Sequence, residues 1–204
     1  MKTADKLEKY RAKRDFAKTP EPAAEFGKSE EGPIFVVQQH DARRMHYDFR
    51  LEVDGVLVSW AVPKGPSTDP KEKRLAVRTE DHPLDYAYFE GRIPEGEYGA
   101  GTVIVWDTGT YENMSEKDGE SISLAEALYA GHGKVKLKGK KLKGGYALIN
   151  TKMRGDQRNW LLIKEKDKDA DARRNPVSTE TESVLSGKTV KEVAEAIDRM
   201  GQHG

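Results

Sequence analysis

The sequence predicts a mainly β protein: a compact antiparallel β-barrel of about eight strands with short flanking helices. Three observations predict it. Segments between 34 and 164 alternate apolar and polar residues with a period of two, the pattern of half-buried strands. Turn-forming Gly, Pro and Asp separate those segments at short intervals. Only one stretch inside that region, 123–131, carries helix caps. A sandwich of the same strands is the nearest alternative.

Composition narrows the function classes. The 204 residues suffice for one medium domain with tails or two small ones. Lys and Arg number 35, as do Asp and Glu, so any preference for nucleic acid must come from local charge. Charged residues make up 34% and hydrophobic ones 36%, which predicts a modest core with polar tails. The lack of cysteine excludes disulfides, zinc–thiolate sites and cysteine nucleophiles. MKTADKLEKYRAKRD has no signal-peptide core and no long apolar run follows, so a cytoplasmic location without a membrane partner is expected.

The elements follow in order. Residues 1–30 form an N-terminal arm with a short helix, in which Leu7, Tyr10 and Ala12 give weak helical order. TPEPAAEFGKSEEGP (19–33) holds three of the nine prolines and reads as extended. The barrel domain spans 31–168. IFVVQQH (34–40) is a strand, and HYDFRLEV and VLVSWAVP flank Asp54-Gly55, a strong hairpin signal. Residues 64–70 are loop, with a helical turn at 70–73, before RLAVRTE (74–80) alternates again. HPLDYAYFEGRIPEGEYGAG (82–101) is turn-rich. TVIVWDTGTYE reads as a strand pair broken at Thr108-Gly109. Ser123 with Glu126 forms a capping box ahead of LAEALYA, and Gly131 fits the C-cap. KVKLKGKKLKGGYALINTK and NWLLIKEK supply the last strands. Residues 169–188 read as a polar linker and 189–204 as a C-terminal helix and tail. That helix opens on Thr189 with Glu192 and spaces Val190, Val193, Ala194, Ile197 and Met200 along one face.

The stretch HYDFRLEVDG (46–55) has two faces. Tyr47, Phe49, Leu51 and Val53 share one; His46, Asp48, Arg50 and Glu52 share the other. His40 ends the preceding strand, and DARRM can fold it back beside His46 and Asp48. Two imidazoles and a carboxylate form a three-ligand set with positions left for water and substrate. Such a set suits manganese, iron, cobalt or zinc without choosing among them. A solvated strand face with incidental histidines is the competing reading. Arg50 shares the face, and its guanidinium suits paired hydrogen bonds to phosphate; an ion pair with Glu52 or Asp48 is the alternative. His82, stiffened by Pro83, is placed to donate to a phosphate oxygen or protonate a leaving group, or is simply exposed. Tyr86 lies four residues on, able to reach the same anion or to pack.

Two further signals compete for attention. GEYGAG (96–101) lacks the spacing and the following helix of a nucleotide loop, so its glycines serve a tight turn or bulge. From His132 to Lys168 there are twelve basic residues against three acidic ones. Lys134, Lys136 and Lys138 alternate with Val135 and Leu137, which gives a basic strand face suited to a phosphate backbone, or an edge strand protected by lysines. Glu80 to Glu97 holds six acidic residues and only Arg92 as a base, so charge is segregated.

The motifs together carry a resemblance. FVVQQHDARRMHYDFRLEVDGVLVSWAVPKGPS and then RLAVRTEDHPLDYAYFEGRIPEGEYGAGTVIVWD closely resemble the 3′-phosphoesterase module of bacterial DNA ligase D, and its free-standing archaeal and bacterial versions. The likeness runs from about Tyr10 to about Lys166. It implies a β-barrel and a manganese-dependent enzyme, with zinc or cobalt compatible with the same ligands. Such an enzyme heals DNA or RNA/DNA primer-template 3′ ends in double-strand break repair. A terminal ribonucleotide is removed by diester cleavage, then the remaining 3′-phosphate. By the same resemblance His40, His46 and Asp48 hold the metal, and Arg50, His82 and Tyr86 are catalytic. Arg14, Asp15 and Glu21 of the arm match positions that affect chiefly diester cleavage, and Lys64, Arg74 and Glu80 match secondary positions. Implied partners are ligase and polymerase modules and Ku, with a nucleoid-associated location.

Two rival classes stand beside this reading. His46-x-Asp48 with distal His132 mimics the two-histidine, one-carboxylate triad of iron oxygenases, although His132 also suits a helix terminus. A non-catalytic β-barrel that binds DNA ends is the other. Within the enzyme reading, 3′-phosphate removal rather than ribonucleotide removal could dominate.

Overall fold

The computed structural model describes residues 5–152 and 155–202; the first residues of the arm, and His203 in the expected tail, lie outside the described residues. In the arm, α1 (Glu8–Ala12) is a short helix that buries Tyr10. Then β1 (Ile34–Asp41), β2 (Met45–Val53) and β3 (Val56–Val62) form an antiparallel meander. Asp54 and Gly55 both take positive φ (50° and 82°), the geometry of a hairpin turn whose twist matches its strands. That turn sets the register that puts Arg50 opposite Ser59 and Asp48 opposite Ala61. A slip of one residue would send every side chain of β2 to the wrong face.

The chain continues through β4 (Lys73–Arg78), the two-residue β5 (His82–Pro83), a 310 turn (Leu84–Tyr88), β6 (Gly91–Ile93) and the long β7 (Gly101–Asn113). A small hairpin, β8 (Glu116–Lys117) with β9 (Glu120–Ser121), precedes α2 (Leu124–Ala130). Ser123 accepts from the Glu126 amide at the start of α2, and Gly131 closes it with φ 91°. Last come β10 (His132–Gly139), β11 (Lys143–Asn150) and β12 (Asn159–Lys164). Eight strands close a barrel in the order β1, β2, β3, β4, β12, β11, β10, β7, with β7 pairing back to β1.

Two details differ from the sequence-based expectation. Residues 101–113 form one continuous strand with no break at Thr108-Gly109. Glycine is needed at 109 for closeness, because a Cβ there would stand 2.2 Å from the Lys138 carbonyl oxygen of β10. Residues 70–71 form a simple turn in place of a helical one.

The barrel interior is filled by side chains from all eight strands, among them Phe35, Phe49, Trp60, Trp106, Tyr146 and Trp160. Each such fully buried side chain contributes roughly 1.5–3 kcal/mol. A second apolar cluster lies outside the barrel, where Val36, Leu57, Val103 and Val105 meet Leu7, Tyr10, Leu84, Tyr86 and Phe89. The arm and the 84–93 segment therefore cover the outer face of β1, β2, β3 and β7. This makes β2 buried on both sides, including its polar residues Asp48, Arg50 and Glu52.

The segment 169–188 lies against the barrel. Thr68 Oγ1 donates to the carbonyls of Asp171 and Arg174, Trp106 Nε1 to Glu180 O at 2.6 Å, and Lys141 Nζ to Glu180 O at 2.8 Å. It contains the short α3 (Pro176–Thr179) and leads to α4 (Val190–Gly201), which opens on a complete Thr189–Glu192 capping box. Among the described residues no helix is long and apolar enough to cross a membrane.

Candidate metal and phosphate site

The polar face of β2 is neither in the barrel mouth nor in its interior; it lies on the outer wall, under the arm. Its side chains open into a cleft of about 300 Å³ lined by His40, His46, Asp48, Arg50, His82 and Tyr86, with Arg14, Glu80 and Tyr98 around them. Eight of the sequence-predicted residues thus converge there: the ligand set, the three catalytic candidates, Arg14 and Glu80. Glu21 joins through direct bonds to Arg14 and Tyr86.

His40, His46 and Asp48 each offer one ligand atom, all within 4.8 Å of one another. β1 and β2 pair His40 directly with His46, and their rings lie 4.8 Å apart. Backbone carbonyls fix both tautomers, because a carbonyl only accepts. His40 donates from Nε2 to Gly99 O at 2.7 Å, and His46 donates from Nδ1 to Arg44 O at 2.9 Å. In the neutral rings His40 Nδ1 and His46 Nε2 then carry lone pairs, and each stands 3.5 Å from an Asp48 oxygen. Two lone pairs and a carboxylate facing one point fit a divalent cation, with outer carbonyls orienting the imidazoles. Burial opposes ionisation of Asp48, yet the Arg50 charge holds its carboxyl well below the usual carboxylate range.

Arg50 is fixed on three sides. Nε donates to Gln38 at 2.8 Å, Nη1 to Ser59 at 2.9 Å, and Nη2 pairs with Asp48 at 3.2 Å. The ion pair with Asp48 that stood as the alternative is present, and Arg50 lines the cleft as well. The other alternative partner, Glu52, faces the arm instead, accepting from the Ser29 and Ile34 amides, each at 3.0 Å.

His82 is brought in by β5, which pairs with β3 at Leu57. Its Nδ1 faces both the Glu80 carbonyl oxygen at 2.9 Å and Arg50 Nη1 at 3.0 Å, and its Nε2 stands 3.4 Å from Arg14. Burial, then the charges of Arg50 and Arg14, push its pKa well below the ordinary histidine value. His82 is therefore a neutral imidazole, neither exposed nor charged. Tyr86 donates to Glu21 at 2.8 Å, and burial with the Glu21 charge raises its pKa well above normal. Glu21 also accepts from Arg14 at 3.0 Å and Thr19 at 2.8 Å. One chain of bonds thus joins arm to barrel: Thr19, Glu21, Arg14, His82, with Tyr86 on the same carboxylate.

Other candidates lie elsewhere. Asp15 is exposed and caps the turn to Ala17 and Lys18. Arg74 donates to the Lys64 carbonyl at 3.2 Å and lines a different cleft, with Ser67, Asp69 and Glu72. Lys134 and Lys136 line another cleft, together with His132, so His132 is outside the ligand set and the oxygenase triad that used it is not assembled. β10 is paired on both sides, by β7 and β11, and so is not an edge strand.

Sequence reasoning missed Gln38, Ser59 and Gly99. Gln38 precedes His40 by two on the same strand face, a readable signal; it bridges Arg50 to the Tyr86 carbonyl at 2.8 Å. Ser59 and Gly99 act through cross-strand pairing and a backbone oxygen, which no local pattern reports.

Comparison with known proteins adds an independent line. Residues 38–150 match the family model described as DNA Ligase D 3′-phosphoesterase domain. The chain is 48% identical over 194 residues to the multifunctional non-homologous end joining protein LigD of Pseudomonas aeruginosa, covering 93% of this chain and 22% of that protein. Identity to the protein of the same name from Mycolicibacterium smegmatis is 50% over 167 residues, covering 80% of this chain and 21% of the relative. The multifunctional non-homologous end joining DNA repair protein LigD of Mycobacterium tuberculosis gives 50% over 165 residues, with 80% and 20% covered. The chain spans about a fifth of the length of the curated relatives it matches.

Proposed function

Because the chain belongs to the DNA ligase D 3′-phosphoesterase domain family, we propose that it is a metal-dependent hydrolase that heals DNA 3′ ends during non-homologous end joining. In this reading it removes a 3′-terminal ribonucleoside by phosphodiester cleavage and then the 3′-phosphate left behind. The observation that carries the proposal is one cleft in which two imidazole lone pairs and Asp48 face one point, beside a fixed guanidinium. Ligase and polymerase modules and Ku are the partners it would serve, at DNA or RNA/DNA primer-template ends.

A divalent cation at His40, His46 and Asp48, manganese in this reading with zinc or cobalt compatible, would draw charge from a nonbridging phosphate oxygen and activate water. The chain's own groups do the rest. Arg50, fixed by Gln38 and Ser59, needs no reorganisation to meet charge developing on the phosphate. Arg14 presents a second positive charge from the arm, held by Glu21. His82 starts neutral because burial and the two flanking arginines disfavour its charged form. An incoming phosphate offsets those charges, so His82 gains basicity in the complex, takes up a proton from solvent and passes it to the leaving oxygen, while the attacking water gives its proton to solvent. Tyr86, kept protonated, orients the phosphate or the water once its hydroxyl turns from Glu21. In the diester step water adds to phosphorus, the P–O5′ bond breaks, and the nucleoside leaves with its oxygen protonated. In the second step the P–O3′ bond breaks, giving a 3′-hydroxyl and inorganic phosphate.

The test is His46→Ala on a primer ending in one ribonucleotide, assayed with and without manganese. Wild-type trimming should require the metal, and the variant should lose about 100-fold or more, as when a main electrostatic stabiliser is removed. Near wild-type trimming by the variant would refute the assignment.

A further inference from the structure

One wall of the cleft is aromatic, and the phosphate chemistry leaves it unused. Tyr98 lines the same cavity as the ligand set, yet 48% of its surface stays open. Its position is held from both sides. The next residue, Gly99, accepts the His40 hydrogen bond at 2.7 Å, which ties the loop to the metal ligands. From the arm, Lys13 donates to the Tyr98 hydroxyl at 3.1 Å, and its ammonium stands 4.3 Å from the ring centroid. Lys13 is itself anchored to Glu80 at 3.0 Å. Gly96 and Gly99, with φ of 87° and 77°, give the backbone the turn that carries the ring to the cleft.

We propose that Tyr98 is the stacking platform for the terminal nucleoside of the 3′ end, a specificity-determining contact of the diester step. The inference rests on the phosphoesterase reading above. A phosphate held beside His40 brings the nucleoside attached to it near this wall. Every base has a π face, and stacking on an aromatic side chain is worth about 1–3 kcal/mol without regard to sequence. The terminal residue is the one that takes this position, because it leaves its own stack at lower cost than an internal base. Lys13 at 4.3 Å and the Arg14 guanidinium at 5.8 Å stand by the ring, and its solvent-open part receives the base. The phosphate-removal step has no nucleoside beyond phosphorus, so Tyr98 has nothing to hold in it.

The competing role for Tyr98 is scaffolding, through Gly99, of His40. Two substrates separate these: a primer ending in one ribonucleoside, and the same primer whose last ribose carries no base, both with manganese. The readout is the ratio of their kcat/KM values. Wild type should favour the base-bearing end by about 5- to 150-fold, the range that stacking energy implies, mostly through KM. Tyr98→Ala should bring the ratio close to one, Tyr98→Phe should keep it, and manganese affinity by paramagnetic resonance should match wild type in both. A ratio unchanged in Tyr98→Ala overturns the inference, as does a loss of manganese affinity that accounts for the whole defect. If wild type turns over neither primer, the phosphoesterase reading falls, and this inference with it.

Discussion

Arg14 and Arg50 on one side of the barrel, and Lys134, Lys136 and Lys138 on another, are the two cationic regions that the sequence offers to a phosphate. Arg14 and Arg50 have side chains only 3% exposed, yet both line a cleft. Each is held by a buried carboxylate, Glu21 or Asp48, and by neutral acceptors. Two of the lysines sit near half exposure, and each has an acid of its own: Lys134 with Glu165 at 3.8 Å, Lys138 with Glu112. The charge is the same; its cost and its use differ. A buried guanidinium is tolerated only because its partners are complete, and that completeness fixes its direction. An exposed ammonium is screened, mobile and weakly coupled to its neighbours. A run of lysines therefore speaks of solvation, while convergence of buried charge speaks of a site.

The comparison breaks most readily at Glu21. Glu21→Ala would leave buried Arg14 with the longer Glu80 contact at 3.5 Å as its only carboxylate and Tyr86 without its acceptor. The expected loss is about 3–5 kcal/mol, the cost of removing one partner of a buried pair. Urea unfolding would measure it, and a loss under 1 kcal/mol would mean that the arm is not locked to the barrel as described.

His82 sharpens the contrast through pH. Its folded pKa is depressed below the unfolded value of about 6.5, because burial and the two arginines disfavour the imidazolium. The stability it contributes is thus complete above about pH 6.5 and is lost as pH falls from there toward the folded value. Wild type should lose up to about 1.4 kcal/mol per pH unit more than His82→Gln below that point. Parallel stability curves for the two proteins between pH 7 and 5 would contradict a neutral, buried His82.

The lysine stripe should give the smallest effect. Changing Lys134, Lys136 and Lys138 together to Ala should cost under about 1 kcal/mol per pair in stability. If the stripe touches duplex phosphates, the salt slope of DNA binding should flatten by about 0.9 for each lysine in contact. An unchanged slope would end its role as a nucleic-acid surface.

Much of this was legible in the chain because it is local. Period two gave β2 its two faces, and Asp54-Gly55 gave the turn that aligns it with β3. Caps gave both ends of α2 and the start of α4 within a residue, since capping involves only neighbours a few positions apart. His40, His46 and Asp48 were legible for the same reason: one short connection returns β1 onto β2 and pairs the histidines. Long-range features were not legible. Gly109 looked like a strand break because its reason, the carbonyl of Lys138, lies on another strand.

The sequence by itself determined which side chains share a face of β2, the mainly β antiparallel class, and the residue types of the ligand set. Barrel closure and the arm decided everything that depends on distance. They put the polar face on the outer wall instead of the mouth, and buried Arg50 against Ser59 and Gln38. They buried His82 between two arginines, so that it is neutral, and separated Lys64, Arg74, His132 and the lysine stripe from the cleft. The physical reason is that periodicity fixes direction within one element, whereas electrostatics and tautomers follow from neighbours that only the folded chain brings within hydrogen-bond reach.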